Sequence, residues 1–337
     1  MNFLTIDTGT TNTRVSLWRD SQVIATAQAA VGVRDTAISG SRALLQSAVQ
    51  DTISETLQTA GLVAGDISLA VASGMITSGL GLHEVPHCAA PAGLAELAAG
   101  MVQQHVPEVF DRPIWFVPGV RNNVSPVTLR NCESMDMMRG EEVEVIGLLA
   151  RLALSSAALF VMPGSHTKLV RIDCAGRIMG CATTLAGELL QTLTHQTILA
   201  KSLDSEFATD LDATMVRAGA QSANRTGLGR TCFSLRILDQ FDVADRNARA
   251  NFLLGAVLAS DLLTLKNSTA LGTSSDTPLV IAGRGVVQQA LNLLISDDPF
   301  FTLAPVLVNS AQQMHLAGFG AARVAAARGL LPASLFV

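Results

Sequence analysis

Charged residues, and lysine above all, are scarce in this sequence. Only 15% of the 337 residues are charged, and lysine occurs three times, at Lys168, Lys201 and Lys266. No basic run stands out, and the net charge is −5 at pH 7. Because general nucleic-acid and membrane-surface binders need clustered positive charge, we expect neither kind of partner. The scarcity also gives weight to any lysine that lies in a functional loop.

Cysteine and histidine form no metal or disulfide pattern. The five cysteines include no Cys-x-x-Cys pair, and neither they nor the histidines have the spacing of zinc ligands. This usage predicts reduced thiols in a cytoplasmic protein. The amino terminus enters an apolar strand at once, so we expect no secretory leader. The densest apolar run, residues 252–263, contains Ser260 and Asp261 and predicts a buried helix, since a membrane helix needs ~20 apolar residues.

Three widespread catalytic motifs are missing as well. Without a Gly-x-x-x-x-Gly-Lys-Ser/Thr loop, the chain is not a P-loop kinase or ATPase. No Gly-x-Gly-x-x-Gly follows the first predicted strand, so the dinucleotide-binding fingerprint is absent. Ser165 is not flanked as the Gly-x-Ser-x-Gly nucleophile elbow requires, which argues against a covalent hydrolase.

The sequence does have enough apolar residues for a large fold. Hydrophobic residues make up 49% of it, which excludes wholesale disorder. At roughly 150 residues per domain, the length predicts two domains or one large α/β domain. No low-complexity tract or linker rich in proline and serine divides the chain. We expect the boundary near Ser155, between residues 1–155 and residues 156–337.

A pattern of three strands joined by turns occurs twice, with a helix predicted at residues 94–104 between the copies. The first turn of each copy is residues 8–12 and residues 163–166. Laid over each other without gaps, the copies align Gly9 with Gly164 and Val15 with Val170. The pattern indicates a duplicated unit. The predicted strands, in chain order, are residues 2–7, 13–19, 23–31, 159–162, 167–172 and 178–183.

Each of these turns combines glycine with hydroxyl residues. Glycine lets the backbone approach an anion closely and tolerates positive φ, while backbone N–H and hydroxyl groups satisfy phosphate oxygens. A single such turn is explained by hairpin geometry alone. Two at equivalent positions predict a phosphate-binding cleft between two lobes. The candidate phosphate-binding residues are Gly9, Thr10, Thr11, Asn12, Gly164, Ser165 and His166.

Two charged residues flank the turns. Asp7 ends the first predicted strand, and a carboxylate beside a polyphosphate implies Mg²⁺, bound directly or through water. Lys168 follows the second turn, where it could place a positive charge on a phosphate. The alternative for Lys168 is a solvated lysine at a strand edge, and the sequence leaves both interpretations open.

Several segments resemble known kinase motifs. Residues 7–14 (Asp-Thr-Gly-Thr-Thr-Asn-Thr-Arg) resemble the first phosphate motif of the sugar kinase/actin superfamily, and the second turn is placed like its second phosphate motif. Four further segments look like those of the 2-dehydro-3-deoxygalactonokinase family, occur in that family's order and cover most of the chain. They are residues 73–78 (Ser-Gly-Met-Ile-Thr-Ser), 138–142 (Met-Arg-Gly-Glu-Glu), 162–168 (Met-Pro-Gly-Ser-His-Thr-Lys) and 187–189 (Gly-Glu-Leu).

This resemblance implies an α/β fold of two duplicated actin-like (ribonuclease H-like) lobes. Each lobe would be a mixed sheet flanked by helices, with a central nucleotide cleft and a last helix that packs back on the first lobe. The implied activity is ATP- and Mg²⁺-dependent phosphorylation of the terminal hydroxyl of 2-dehydro-3-deoxy-D-galactonate, a small-molecule sugar acid, to the 6-phosphate. Two alternatives share the fold: a kinase of another sugar or sugar acid, and a nucleotide-operated binding or regulatory protein. Homo-oligomerisation and the preferred epimer are left open.

The resemblance also indicates the catalytic group. Phosphoryl transfer needs a residue that takes the proton of the acceptor hydroxyl. Asp136, just before a predicted helix of the first lobe, is the favoured base, and Glu141 at the amino terminus of that helix is the alternative. Acids in a first helical turn are also stabilised by the helix dipole without any chemistry, so that interpretation stays open for Glu141.

Five residues are candidates for the substrate site. Arg139 is the first candidate for the substrate carboxylate and Arg121 the second, because a guanidinium pairs with a carboxylate through two hydrogen bonds. Gly74, Met75 and Ser78 resemble a substrate loop, in which glycine would allow close backbone approach. A plain turn between strand and helix explains these three residues equally well.

The adenosine side is assigned to residues 282–285. Gly283 is the candidate nucleotide contact in this loop. Arg284 stands where the family leads us to expect a small hydroxyl residue. This departure bears on the affinity for nucleotide, while the expected fold is unaffected.

Overall fold

Two mixed β-sheets form the frame of the protein, whose structure is a computed structural model that describes residues 1–336. The strands of the first half are β1 (Asn2–Thr8), β2 (Thr13–Arg19), β3 (Gln22–Ala29), β4 (Leu69–Gly74), β5 (Cys88–Ala89), β6 (Val102–Gln104), β7 (Ile114–Phe116), β8 (Val120–Arg121) and β9 (Met137–Met138). Its helices are α1 (Val33–Ser39), α2 (Ala43–Ala60), α3 (Leu94–Gly100) and α4 (Glu141–Arg151). Short 3-10 turns occur at Ala64–Asp66, Met75–Thr77 and Cys132–Ser134.

The second half is richer in helix. Its strands are β10 (Ala158–Met162), β11 (Thr167–Ile172), β12 (Ile178–Thr184), β13 (Leu279–Ile281) and β14 (Val306–Leu307). Its helices are α5 (Ala186–His195), α6 (Ala200–Leu203), α7 (Ala213–Thr226), α8 (Leu228–Gln240), α9 (Arg246–Asn267), α10 (Gly285–Asp297), α11 (Ser310–Gln313) and α12 (Leu316–Ala327). A 3-10 turn at Ala333–Phe336 follows.

The two large sheets are built in the same way. Their strand orders are β3-β2-β1-β4-β7-β6 and β12-β11-β10-β13-β14. In each sheet the first three strands form an antiparallel meander, and the next two in the order run parallel to the first strand. Helices flank both sheets, which confirms the predicted duplicated α/β fold. Strands β5, β8 and β9 add a small third sheet.

The gapless alignment of the two copies is wrong by one residue after the turn. In the first hairpin Asp7 pairs with Arg14, and in the second Met162 pairs with Lys168. Six residues, 8–13, lie between Asp7 and Arg14, whereas five, 163–167, lie between Met162 and Lys168. The second connection is one residue shorter, and this places Lys168 at the position of Arg14. Aligning the two sequences cannot reveal this one-residue shift, because the equivalent positions are defined by the strand pairing of the folded backbone.

The helix predicted at residues 94–104 is wrong in its second part. The structure ends α3 at Gly100 and continues into β6, where Val102 pairs with Phe116 of β7. Gly100 packs against Pro118, so closely that a Cβ built on the glycine would come within 2.9 Å of the Pro118 Cγ. Pairing at the sheet edge is a tertiary effect that here outweighs the local helical pattern.

A helical layer between the two sheets joins them into one core. Helix α4 comes from the first half and α12 from the second, and the two pack against each other. Phe3 and Trp18 of the first sheet and Phe160 and Val280 of the second sheet belong to the same buried cluster as these helices. Because α12 also contacts β1 and β4, the last long helix of the chain lies on the first sheet.

Helix α9 is, within residues 1–336, the helix that is long and apolar enough to cross a membrane by length and composition. In its most apolar stretch, however, 78% of the residues are buried inside the protein. Asp245 caps the helix by accepting the amide of Ala248 (2.8 Å), and α7, α8 and α10 pack around it. This burial is what a core helix requires, and it agrees with the buried helix predicted at residues 252–263.

The contact between α4 and α12 can be tested by adding one methyl group. A Cβ on Gly320 of α12 would overlap the carbonyl oxygen of Val143 in α4. We expect Gly320→Ala to lower the free energy of unfolding by about 1–3 kcal/mol, the usual cost of overpacking a core. Gly229→Ala in α8 is the control, since its Cβ meets nothing within 4 Å and the change favours helix. Urea denaturation that finds the two variants equally stable would contradict this packing.

Candidate active site

The first turn, between β1 and β2, is held from two sides. The amide of Gly9 donates to the carbonyl of Asn12 (2.8 Å), which closes the turn. The amide of Arg34, at the start of α1, donates to the carbonyl of Thr10 (2.9 Å). Within residues 1–336, no protein acceptor takes the amides of Thr10 and Thr11. These two donors are therefore free for a ligand.

The second turn, between β10 and β11, is supported in the same way by α5. The amide of Glu188 donates to the carbonyl of Ser165 (2.8 Å). Gly187 approaches so closely that a Cβ on it would overlap the carbonyl oxygen of Gly164. The side chains of His166 and Glu188 meet at 3.0 Å, between Nε2 and Oε2. The amides of Gly164 and Ser165 again have no acceptor in the part of the chain that the structure describes.

Both turns line one cleft of about 600 Å³. The structure thus brings together residues from the two halves of the chain, as a ligand-binding cleft between lobes requires. Thr11 and Asn12 line an adjoining cavity of about 130 Å³, together with Asp7. The sequence-predicted residues that line the larger cleft are Gly9, Thr10, Met75, Ser78, Arg139, Glu141, Gly164, Ser165, His166 and Lys168.

The backbone of the two turns does not itself require glycine. Neither Gly9 nor Gly164 has a positive φ, and a Cβ on either would meet no heavy atom closer than 3.4 Å. Close approach of an anion is the remaining physical reason for glycine at these positions. Gly74, at the end of β4, is different: its φ is +85°, and a Cβ would come within 2.9 Å of Asp7 Oδ1. Glycine at position 74 leaves room for the Asp7 carboxylate.

Three carboxylates lie together beside the first turn. Desolvation raises the pKa of Asp7 to about 6, with the charge of Arg14 opposing the shift and that of Glu141 adding to it. Desolvation likewise raises the pKa of Glu144 to about 8, with further contributions from the charges of Asp7 and Glu141. Glu144 is missed by the sequence analysis. Its spacing of three residues from Glu141, which puts both on one helix face, is the signal that could have found it.

The donors at this place fit magnesium only together with a phosphate. Within residues 1–336, no group of three or more His, Cys, Asp or Glu side chains is arranged to hold a metal ion by itself. Mg²⁺ is commonly held by one or two carboxylates, with phosphate oxygens and water completing its six ligands. Asp7 and Glu144 supply carboxylates of this kind beside the free amides of the first turn, and a cation there would relieve their mutual repulsion.

The two glutamates of the Arg-Gly-Glu-Glu segment lie in different places, one buried and one in the lining of the cleft. Glu142 is fully buried, and the amide of Gly140 donates to both of its carboxylate oxygens (2.9 and 2.8 Å). Burial, with a smaller contribution from Glu141, raises the pKa of Glu142 to about 8. Glu141 instead lines the cleft, where its Oε2 accepts the amide of Arg139 (3.2 Å).

The Arg139 guanidinium is used to hold the protein itself. Nη1 donates to the carbonyl and to the hydroxyl oxygen of Thr77, both at 2.6 Å. Nη2 donates to the carbonyl of Val85 (2.9 Å) and to Nδ1 of His87 (3.1 Å). These contacts use all four η N–H groups and fix residues 77–87 along the cleft. His87, which the sequence analysis does not single out, thereby becomes part of the cleft wall.

Lys168 is buried, with only 8% of its surface exposed. Its Nζ donates to the carbonyl of Met137 and to Oγ1 of Thr183, both at 2.7 Å. The interpretation of Lys168 as a solvated strand-edge residue is therefore wrong. The side chain instead connects the second sheet to β9 of the first half, and it also lines the cleft.

Besides Gly74, three predicted site residues line neither the cleft nor the adjoining cavity. Asp136 precedes β9, and its Oδ1 accepts the amide of Met137 (2.6 Å). Arg121 lies in β8, in the small third sheet. Gly283 follows β13, and its amide and carbonyl both bond to the side chain of Gln313 (2.9 and 2.8 Å).

An apolar cavity of about 190 Å³ adjoins the second turn. It is lined by residues that include Phe207, Leu254 of α9 and Val287 of α10. Gly187 lines it too, and because Gly187 also touches the second turn, the apolar cavity begins beside the cleft. Its residues come from widely separated segments, so no local pattern in the sequence marks it.

Comparison with known families assigns the chain to one of them. Residues 7–297 match the family model described as 2-keto-3-deoxy-galactonokinase. The chain belongs to this family. It is 24% identical over 269 residues to the 2-dehydro-3-deoxygalactonokinase of Escherichia coli K12, with 80% of this chain and 82% of that protein covered. A Rhizobium meliloti protein named as the same kinase is 30% identical over 204 residues, with 60% and 59% covered. The sequence prediction of a sugar-acid kinase is thereby confirmed.

Solved structures show the same fold. A Sinorhizobium meliloti protein assigned as a 2-dehydro-3-deoxygalactonokinase has a TM-score of 0.72 at 24% identity, with 98% of this chain and 99% of that chain covered. The activator of 2-hydroxyisocaproyl-CoA dehydratase from Clostridium difficile, with bound ADPNP, has a TM-score of 0.51 at 11% identity, with 98% and 96% covered. At these identities the likeness concerns the fold alone, and it agrees with the predicted actin-like lobes.

The buried acids of this galactonokinase-family chain make its stability depend on pH. The pKa of Glu142 in the folded protein, about 8, lies above its ordinary value of 4.5, so the folded state keeps this proton to higher pH than the unfolded chain. The contribution of Glu142 to the free energy of unfolding therefore falls as pH rises from about 4.5 to about 8. We expect Glu142→Gln to remove this part of the fall, measured as urea-denaturation free energies at pH 5.5 and pH 8.5. Glu55→Gln, at an exposed glutamate of α2, is the control, and an equal pH dependence of both variants would contradict the assignment.

Proposed function

We propose that the cleft binds ATP with Mg²⁺ across the two turns and that the γ-phosphoryl group passes to the terminal hydroxyl of 2-dehydro-3-deoxy-D-galactonate. The observation that carries the proposal is the shared cleft, with free backbone amides on both turns. Phosphoryl transfer needs alignment and charge stabilisation more than covalent work by the protein. We expect the reaction to take place in the cytoplasm, where ATP is supplied.

The two turns would bind different phosphates of ATP. Their free amides, such as those of Thr10 and Ser165, belong to residues that line the cleft from opposite halves of the chain, and such donors suit oxygens of different phosphates. Lys168 commits two of its three N–H groups to protein acceptors and keeps one for a phosphate oxygen. Asp7 would hold the magnesium ion, which when bound supplies neutralisation of phosphate charge.

Glu141 is the carboxylate best placed to take the hydroxyl proton. Its side chain lines the cleft, and its charge is felt by Asp7, so it lies near the proposed magnesium and phosphate site. The amide of Arg139 orients its carboxylate. Asp136, which the sequence analysis favours, stays as the alternative base, because it lies only one residue before β9 at the edge of the cleft.

The apolar cavity suits the purine of ATP. It adjoins the second turn through Gly187, so a nucleotide whose phosphates occupy that turn can reach it. Phe207 offers an aromatic ring and Val287 an apolar surface, the kinds of group that bury a flat heterocycle. Arg284 immediately precedes α10, which carries Val287, and would lie near the ribose side of such a ligand.

The choice between the two bases is open to a direct test. We expect Glu141→Gln to lower kcat by about 10²–10⁴-fold, the usual contribution of a general base, with little change in KM for ATP. Asp136→Asn should lower kcat less. The measurement is ADP release with purified 2-dehydro-3-deoxy-D-galactonate, with its C4 epimer as the comparison substrate. A larger loss of kcat in Asp136→Asn would reverse the assignment of the base. If the wild type releases no ADP with either of the two sugar acids, the proposed substrate is refuted.

The purine assignment makes a separate prediction. We expect Phe207→Ala to raise KM for ATP roughly tenfold, since one base–aromatic stack is lost, and to leave KM for the sugar acid unchanged. Phe233→Ala is a matched control, because this ring on α8 is similarly exposed but does not line the cavity (48% against 46% exposed). Equal changes in KM for ATP and for the sugar acid in Phe207→Ala would argue against a purine in this cavity.

A further inference from the structure

His87 lines the cleft and has one ring N–H that no group of residues 1–336 accepts. Its Nδ1 lies 3.1 Å from Nη2 of Arg139, and a guanidinium can only donate. Nδ1 is therefore the acceptor and carries no proton. In the neutral ring the single proton must be on Nε2. No acceptor for this N–H occurs among the hydrogen bonds of residues 1–336, and the ring lines the cleft.

The surroundings keep this imidazole neutral and make its position favourable for an anion. Desolvation, together with the charges of Arg139, Arg121 and Lys168, lowers the pKa of His87 to about 4. The three charges that act on the ring are positive and attract a negative group beside it, while Glu84 and Glu141 of the same cleft lining oppose that attraction. The four η N–H groups of Arg139 already bond to the protein, whereas the His87 Nε2–H has no protein acceptor within residues 1–336.

The proposed substrate has one anionic group before it is phosphorylated, its C1 carboxylate. A carboxylate oxygen is a strong acceptor for an N–H donor, and a hydrogen bond to a charged group is stronger than one between neutral groups. Neutral sugars lack this group. A donor that recognises it would therefore separate sugar acids from aldoses.

We propose that His87 binds the carboxylate of the sugar acid through its Nε2–H, and that Arg139 is the positioning residue that fixes this tautomer. The proposal rests on the proposed kinase function of the cleft. The sequence predicts that Arg139 binds the substrate carboxylate directly. In this proposal Arg139 instead holds His87, and His87 binds the carboxylate. His87 then determines specificity for acids.

The test compares His87→Leu, which removes the donor, with His87→Gln, whose amide can accept from Arg139 and donate to the substrate. His105→Leu, at an exposed histidine outside the cleft, is the control. Steady-state kinetics are measured on the 2-keto-3-deoxy acid that the wild type phosphorylates best in a small panel, and on the C1 methyl ester of that acid. Melting temperatures of all variants are measured alongside.

For the acid, we expect His87→Leu to raise KM at least about tenfold with kcat nearly unchanged, since one hydrogen bond to a charged group is lost. His87→Gln should stay within about threefold of the wild type. On the ester, wild type and His87→Leu should have similar KM values. A wild-type KM for the acid in His87→Leu, or equal losses on acid and ester, would overturn the proposal while leaving the kinase function intact. Wild-type protein that phosphorylates no acid in the panel would refute the proposed function, and this proposal with it.

Discussion

The packing of α4 against α12 is the interaction on which the site depends. The two turns that line the cleft belong to different sheets, and they can share it only if the sheets keep one relative position. The α4–α12 layer buries side chains of both sheets in a single cluster, and the close contact of Gly320 with Val143 tolerates little sliding. The amino terminus of α4 also carries Glu141 and Glu144. The same helix thus joins the sheets and places the acids.

Burying these acids opposes folding, and the chemistry proposed for the cleft explains why they are present. Asp7 and Glu144 have raised pKa values because they are desolvated and repel each other. A core designed only for stability would replace them with apolar side chains. Their presence beside the first turn is understandable if a cation and a polyphosphate supply the missing positive charge and the remaining ligands. Glu142 is desolvated as well, with its pKa raised to about 8, but its oxygens accept the amide of Gly140 and support the start of α4.

Much of the fold and part of the site are predictable from the sequence, for physical reasons. The duplicated strand pattern is local, since side-chain alternation and turn residues lie close along the chain, and it correctly predicts two turns that share a cleft. The one-residue slip that aligns Lys168 with Arg14 is invisible without strand pairing. His87 is equally hidden, because its tautomer is set by Arg139, a residue brought to it only by the folded chain.

The burial of Lys168 has a consequence for protein chemistry. With three lysines in the chain, an amine-acylating reagent has few possible targets. Lys201 is exposed, whereas Lys266 is tied to Asp298 (2.6 Å) and Lys168 is enclosed between the sheets. Acylation of Lys168 therefore requires its Nζ to release the carbonyl of Met137 and the hydroxyl of Thr183. The labelling rate of Lys168, measured by mass spectrometry relative to that of Lys201, therefore reports how often these two hydrogen bonds at the cleft open.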